Sequence, residues 1–301
     1  MTDTVAPFSV IIPAHQEEAV IARCLRAIRQ GAPTARQPEI IVVANGCSDA
    51  TAENARSADP EATVVELVPG SKTAAMNHGS RLASAVPRFF IDADVQCDYR
   101  SLEAVAEVLR APGTLAASPA LHMNTSDCDR WVKAYYRVWM TQPYVRDRLI
   151  GGGVYGLSAE GLQRLGSFPP IIGDDFYVRT RFDYSERMSV DQDKVGRAVS
   201  VTVWPPRNAV DQVRIEARRR AGSDQVNRLY PTSGSGRVNR ASDLVAALKN
   251  GASTSDVAIY LFLKTCARLL CAWRNLTGKG SGWTRDESSR PVSASQTSVE
   301  R

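Results

Sequence analysis

Four short apolar runs, each followed by a polar cluster and then by a helix-like stretch, dominate the first hundred residues. Phe8 to Pro13 (FSVIIP), Glu39 to Ala44 (EIIVVA), Ala62 to Leu67 (ATVVEL) and Arg88 to Asp92 (RFFID) are long enough for a strand and too short for a helix. Between them, Gln16 to Gln30 sets Val20, Ile21, Cys24, Leu25 and Ile28 on one helical stripe that Gly31 can end. A stretch with Ala52, Ala55 and Ala58, and then Thr73 to Ala85, read as further helices. This alternation predicts an α/β fold, a mainly parallel sheet with helices on both faces, whose ligands bind beyond the carboxyl ends of the strands. At those ends stand Pro13-Ala14-His15-Gln16-Glu17-Glu18, Asn45-Gly46-Cys47-Ser48-Asp49 and Asp92-Ala93-Asp94.

After Ser101 the pattern loosens. Leu102 to Leu109 reads as a helix, Leu115 to Ser118 as a strand ended by Pro119, and Trp131, Tyr135, Tyr136 and Trp139 as an aromatic helix offering packing surface or an acceptor-site lining. Gly151-Gly152-Gly153 breaks the chain. From Ala241 two helices follow, the first capped by Ser242, the second starting at Ser253 with capping-box spacing to Asp256. The reading divides the chain into a core over residues 5–230, a helical extension over 241–277 and a disordered tail over 278–301.

Composition narrows the function classes. With 44% hydrophobic and 23% charged residues the chain is globular, and a net charge of +5 over 301 residues is too small to indicate nucleic acid. Between Val201 and Arg240 there are eight arginines and three acids, a stretch that favours phosphate or another anion. The six cysteines form no CxxC pair, which fits free thiols in a reducing compartment. The opening MTDTVAPFSVIIPAHQEE lacks the marks of a secretory signal, so the expected location is cytoplasmic.

Asp92 and Asp94 emerge together from a hydrophobic strand, a pair suited to a hard divalent cation that takes its other oxygens from phosphates and water. Lys72, near a helix start in GSKTAAMNHG, is favourably placed for anionic phosphate. In Gly173-Asp174-Asp175 the adjacent carboxylates repel, so one should titrate nearer the range of a general base, with Asp174 a candidate helix cap.

The ordered set SVIIPAHQEE, VVANGCSDAT, GSKTAAMNHGS, FFIDADV and IIGDDFYVRTRF resembles the family 2 glycosyltransferases, over roughly Val5 to Gly222. The resemblance implies a GT-A fold, a nucleotide-diphosphate sugar donor with a UDP-sugar favoured, a Mn²⁺ or Mg²⁺ cofactor, and an acceptor hydroxyl that can be lipid-linked. It assigns Pro13 and Glu17 to the nucleoside border, Asn45 to the base contact where an aspartate is common, Asp49 to the second acid of that motif and Lys72 to the nucleotide. Asp92 falls near the ribose, Asp94 on the metal, Asp175 on the catalytic base, and Asp174 replaces the family's glutamate. Arg214, Arg218 and Arg219 are candidate diphosphate contacts. The Q-x-x-R-W motif of processive synthases is absent, since Gln212 is followed by Val213, Arg214 and Ile215, which favours single addition.

A sugar-1-phosphate nucleotidyltransferase would want a glycine-rich basic loop where PAHQEE stands, and a non-catalytic nucleotide-sugar-binding protein is separable by activity alone. In Ser253 to Asn275, Lys264 and Arg268 share a face with Tyr260 opposite a stripe of Ile259, Phe262, Leu263, Leu269, Leu270 and Trp273. That helix is too interrupted by charge to span a bilayer, and its pattern fits either peripheral membrane contact or packing on its own domain.

Overall fold

The computed structural model describes residues 6–68, 70–146, 148–231 and 241–277; the tail over 278–301 and the side chain of Ser242 lie outside the described residues. The first half alternates β1 (Ser9–Ala14), α1 (Ile21–Arg29), β2 (Glu39–Asn45), α2 (Thr51–Ala58), β3 (Thr63–Leu67), α3 (Lys72–Leu82), β4 (Arg88–Ile91) and α4 (Tyr99–Arg110). The second half adds β5 (Ala116–Met123), α5 (Arg130–Trp139), α6 (Pro143–Arg146), β6 (Val154–Leu157), α7 (Ala159–Leu165) and α8 (Asp174–Arg181). It closes with β7 (Arg187–Val190), β8 (Ser200–Val203), α9 (Ala209–Leu229), α10 (Ala241–Lys249) and α11 (Thr254–Leu276).

The eight strands form one sheet in the order β3-β2-β1-β4-β6-β5-β7, with β8 paired to β5. β6 runs antiparallel to β4 and β5, and the other pairings are parallel, so the sheet is mixed and mainly parallel as the alternation predicts. The chain steps outward from β1 to β3 and returns to β4 on the other side of β1, which makes the β1/β4 boundary a topological switch point. Because helices cover both faces, β1 is apolar from Val10 to Ala14. Val10 and Ile12 pack in the core with Leu25 of α1 and Leu102 of α4, while Ile11 turns to the opposite face with Met76 of α3.

Two local expectations are corrected. Helix α1 begins at Ile21 instead of Gln16, because Gln16 adopts φ 57° and its Oε1 accepts the N–H groups of Ser48 and Asp49, tying the loop after β1 to the loop after β2. Strand β5 does not end at Pro119. It pairs with β7 as far as Pro119 and with β8 from Ala120 to Met123, so the missing proline N–H falls where the strand changes partner.

Helices α5, α9 and α11 form a layer beyond the sheet. Helix α11 carries the expected Ser253–Asp256 capping box, and its Tyr260, Leu263, Ala267 and Cys271 are buried. The faces read from its sequence are divided. Lys264 turns inward to an ion pair with Glu216 of α9 and Tyr260 is buried, whereas Phe262, Leu269 and Trp273 of the apolar stripe stand exposed. A buried carboxylate on a neighbouring helix draws the lysine in, and no spacing rule within α11 contains that information.

Candidate active site

At the β1/β4 switch point a cavity of about 1030 Å³ opens beyond the strand ends, with Pro13, Glu17, Lys72, Asp92 and Asp94 in its wall. Ala93 is buried between the two aspartates, so their half-buried carboxylates both look into the cavity, as alternation after a strand requires. Lys72 enters from the first turn of α3. Its Nζ lies 2.7 Å from Asp92 Oδ1 and 3.0 Å from Asp174 Oδ1, bridging the end of β4 to the start of α8.

Asp174 and Asp175 are the first two residues of α8, after Gly173 at the cap position, so Asp174 is not the cap. Their environments differ. Asp174 is 4% exposed, and its Oδ2 lies 3.4 Å from the Tyr155 hydroxyl. Burial pushes its carboxyl up to about 6 against the pull of Lys72, with Asp175 and Asp92 adding to the rise. The elevated member of the pair is therefore the internal one, while Asp175 is exposed and lines the cavity.

The glycine break is a structural part of the site. Gly151, Gly152 and Gly153 take φ of 135°, 71° and 82°. A Cβ on Gly151 would lie 2.9 Å from Asp175 Oδ2, and one on Gly153 would lie 3.7 Å from Asp92 Cβ and 2.5 Å from Val95 Cγ1. Two residues of chain, at most ~7 Å, thus join the neighbourhood of Asp92 to that of Asp175 with no side chain in the way.

Of the other predicted residues, Arg218 and Arg219 of α9 reach the cavity wall, but Arg214 does not; it is exposed and pairs with Asp211 one turn earlier. Arg219 lies 5.9 Å from the Trp139 ring centroid, on the α5 side of the cavity. Asn45 is fully buried outside the cavity wall, its Nδ2 donating 2.8 Å to Ala14 O and so pinning β1 to β2. Asp49 receives the N–H groups of Glu18 and Thr51, which holds two loops together. Sequence reasoning missed Tyr155, Trp204 and Arg179 in the wall. Trp204 carries Arg23 4.1 Å over its ring, and the Trp-Pro-Pro sequence after β8 was the one available signal for it.

Asp92 and Asp94 fit a divalent cation of a particular kind. Among the described residues no group of three or more ligating side chains forms a closed cage. Two hard carboxylate oxygens at an open wall suit Mg²⁺ or Mn²⁺ that completes its shell with diphosphate and water. The chain's own donors are thus half of a site.

The family model for glycosyl transferase family 2 matches residues 9–159. Among solved structures, the fold is similar to the mannosyltransferase PcManGT from Pyrobaculum calidifontis in complex with GDP-Man and Mn²⁺. The TM-score is 0.59 at 18% identity, over 91% of this chain and 89% of that one. It is also similar to glucosyl-3-phosphoglycerate synthase from Mycobacterium tuberculosis in complex with Mn²⁺, UDP-glucose and phosphoglyceric acid, with TM-score 0.52 at 20% identity over 78% and 84% of the chains. The Mg²⁺ and UDP complex of that synthase gives 0.52 at 19% identity over 76% and 81%. No curated protein sequence matches the chain.

Proposed function

The chain belongs to glycosyl transferase family 2, and from that premise we propose that it is an inverting, single-addition transferase moving a sugar from a nucleotide-diphosphate donor to an acceptor hydroxyl. The observation that carries this reading is the shared cavity: Asp92 and Asp94 at the end of β4 face Asp175 on α8 across a triglycine segment bare of side chains. Pro13, Glu17 and Lys72 border the nucleotide, and Arg218 supplies positive charge beside the two carboxylates. A Mn²⁺ or Mg²⁺ ion held by Asp92 and Asp94 supplies charge neutralisation for the leaving diphosphate when bound. Asp175 takes the proton of the acceptor hydroxyl as that oxygen bonds to the anomeric carbon and the bond from that carbon to the diphosphate oxygen breaks on the opposite face. Asp174 and Tyr155 hold Lys72 and the start of α8 in place. A UDP-sugar is the favoured donor, and the complexes of the M. tuberculosis synthase with UDP and UDP-glucose support trying it first.

Transfer assayed with a panel of nucleotide sugars, alongside calorimetric titration of nucleotide diphosphate with Mn²⁺, tests the assignment. Asp175→Asn should keep donor binding and lower transfer by roughly 10²- to 10⁴-fold, whereas Asp94→Ala should lose the metal-dependent part of binding. Metal-enhanced affinity persisting in Asp94→Ala, or transfer persisting in Asp175→Asn while Asp174→Asn is dead, would overturn it.

For location, we propose peripheral contact with the cytoplasmic face of a membrane, near an acceptor in polysaccharide or glycolipid synthesis. No helix among the described residues is long and apolar enough to cross a bilayer. The support is the outer face of α11, where Leu261, Phe262, Leu269 and Trp273 are exposed beside Arg268 while the one acid of the helix, Asp256, is buried. A chain carrying Phe262→Ser and Trp273→Ser should sediment less with vesicles containing anionic lipid; unchanged sedimentation would remove the proposal.

A further inference from the structure

On the Asp175 side of the cavity, two arginines of the wall and a third close to it are not used by the donor reading. Arg179 follows Asp175 by one turn on α8, Arg187 opens β7, and Arg148 stands three residues before the triglycine. Arg179 and Arg187 both line the cavity. Arg148 donates 2.7 Å to the Tyr184 carbonyl and its guanidinium lies 4.5 Å from the Tyr184 ring centroid, while that of Arg187 lies 5.9 Å from the same ring. Arg148 and Arg187 thus meet at Tyr184, and Arg179 is near enough to Arg187 for their charges to interact.

Among the described residues, none of the three guanidiniums has an ion-pair partner. Arg187 is 6% exposed, and its Nε is buried with no hydrogen-bond partner. The nearby acids form no ion pair with the three guanidiniums and make local contacts of their own, though Asp175 and Asp183 still act on Arg179 and Arg187 through their charge. Asp183 caps the turn Tyr184–Glu186, Glu186 pairs with Arg164, and Asp175 Oδ1 accepts the N–H of Phe176. Arg179 is flanked by the rings of Phe176 at 4.9 Å and Tyr144 at 5.9 Å. Burial holds Arg187 below its ordinary value, and the charges of Arg179 and Arg148 push the same way against the opposing pull of Tyr184 and Asp183. Asp175 acts on Arg179 and Asp183 on Arg187 with opposite charge, so the cluster is only partly compensated, and an anion at its centre would offset what remains.

Arg187 lies on β7 and Arg179 shares α8 with Asp175, whose side chain meets Gly151, whereas Asp92 is met by Gly153 at the other end of the triglycine. We propose that Arg148, Arg179 and Arg187 form a phosphate subsite for the acceptor, so that the hydroxyl presented to Asp175 belongs to a phosphorylated molecule. The proposal rests on the transferase reading for the word acceptor, and the phosphate site itself does not. Guanidinium suits the group, since its forked donors match phosphate oxygens and it stays charged when buried. One turn of α8, about 6 Å between Cβ atoms, separates the base from Arg179, so the anion anchors the acceptor close to its reacting oxygen.

Inorganic phosphate titrated into the full-length chain with nucleotide diphosphate and Mn²⁺ present tests the subsite. Arg179→Gln and Arg148→Gln should each weaken phosphate binding by tenfold or more, and Arg187→Lys, which keeps the buried charge and guards against misfolding, should weaken it less. Arg214→Gln, exposed outside the cavity wall and paired with Asp211, should leave phosphate affinity within twofold. Phosphate that fails to bind the wild-type chain, or binds Arg179→Gln and Arg148→Gln as well as wild type, overturns the proposal. Titrating nucleotide diphosphate with Mn²⁺ into the same proteins separates the two readings. If nucleotide fails to bind while phosphate shows the arginine dependence, the donor reading falls and the anion site stands; if nucleotide binds and phosphate does not, the subsite alone falls. Two further probes fix the source. Glucose 6-phosphate binding lost in Arg179→Gln assigns a soluble acceptor, and loss of binding to phosphatidic acid vesicles in the same variant assigns a lipid phosphate.

Discussion

Beneath Asp92 the sheet is apolar on both faces, with Val10, Ile11, Ile12, Phe89 and Ile91 fully buried. Across the cavity, the helical layer instead holds a buried carboxylate, Glu216 of α9, between Lys264 of α11 and the Tyr135 hydroxyl of α5 at 2.9 Å. Next to it Gln212 is fully buried with neither amide atom hydrogen-bonded. The first wall is held by non-directional burial, which tolerates repacking. The second adds to its own apolar cluster, with Val132, Tyr135, Tyr260 and Leu263 in it, a few directional contacts at a buried carboxylate that leave a partner stranded when broken. The acids that serve chemistry sit on the first wall and on α8, and Arg218 and Arg219 come from the second, so the cavity has one rigid side and one side whose position depends on polar pairing.

The sharpest way to break that contrast is to remove Glu216. Glu216→Ala leaves the half-buried Lys264 without its partner and should cost about 3 kcal/mol, the lower end of the usual loss for one member of a buried pair. The double change Glu216→Leu with Lys264→Met should recover most of it, because both charges leave together. On the sheet side, Phe89→Ala should cost about 3–5 kcal/mol through a cavity alone. Urea unfolding of the four proteins decides the matter; a double variant no better than Glu216→Ala would mean that the layer is held by packing after all.

A smaller effect is expected at the seam between the walls. Gly153→Ala places a methyl 2.5 Å from Val95 Cγ1 at φ 82°, and should cost about 2 kcal/mol. Gly113→Ala, with φ 87° but nothing within 4 Å, should cost only the backbone strain of about 1 kcal/mol. Equal losses at both sites would show that the triglycine has slack, and that the walls are less tightly joined than the close approach implies.

The same contrast governs what the sequence reveals. Strands β1 to β4, and the placing of Asp92 and Asp94 beyond β4, are readable because an apolar run, a turn and a polar cluster are local, and the sheet's alternation turns them directly into geometry. Lys72 was readable as a cavity residue, but not as a bridge between Asp92 and Asp174, since the second partner lies on α8, about a hundred residues later. The partner exchange of β5 at Pro119 depends on two strands that follow it in the chain. Helix α11 fails for a similar reason: Ile259, Phe262, Leu263, Leu269 and Leu270 form a stripe too wide for one face, and Glu216, invisible from within the helix, decides which edge of it is covered. Arg214 and Arg218 sit one turn apart, and only the length of the cavity separates the surface residue from the wall residue.

The smallest effect concerns two carboxylates held in different ways. Glu39, in the sheet region, is raised by burial, but hydrogen bonds from Ser9, Ser84 and Ala85 outweigh that and hold its carboxyl below its ordinary value. Asp256, at the start of α11, is lowered from 3.8 to about 2, chiefly by the Arg137 guanidinium, which donates at 2.5 and 3.0 Å from α5. Since both values are depressed in the folded chain, the stability each contributes is present above its ordinary value and is lost as pH falls, through about 2 for Asp256. Wild type should therefore exceed Asp256→Asn in thermal stability at pH 5 to 7, and the two should converge near pH 2. Salt discriminates further, because Arg137 is 53% exposed and its attraction is screened, whereas neutral donors to Glu39 are not. Raising ionic strength to about 1 M should shrink the Asp256→Asn difference and leave that of Glu39→Gln unchanged. Equal salt sensitivity at both sites would erase the distinction between a wall built on neutral contacts and one built on charge, and with it the reason for expecting α11 to loosen first in acid.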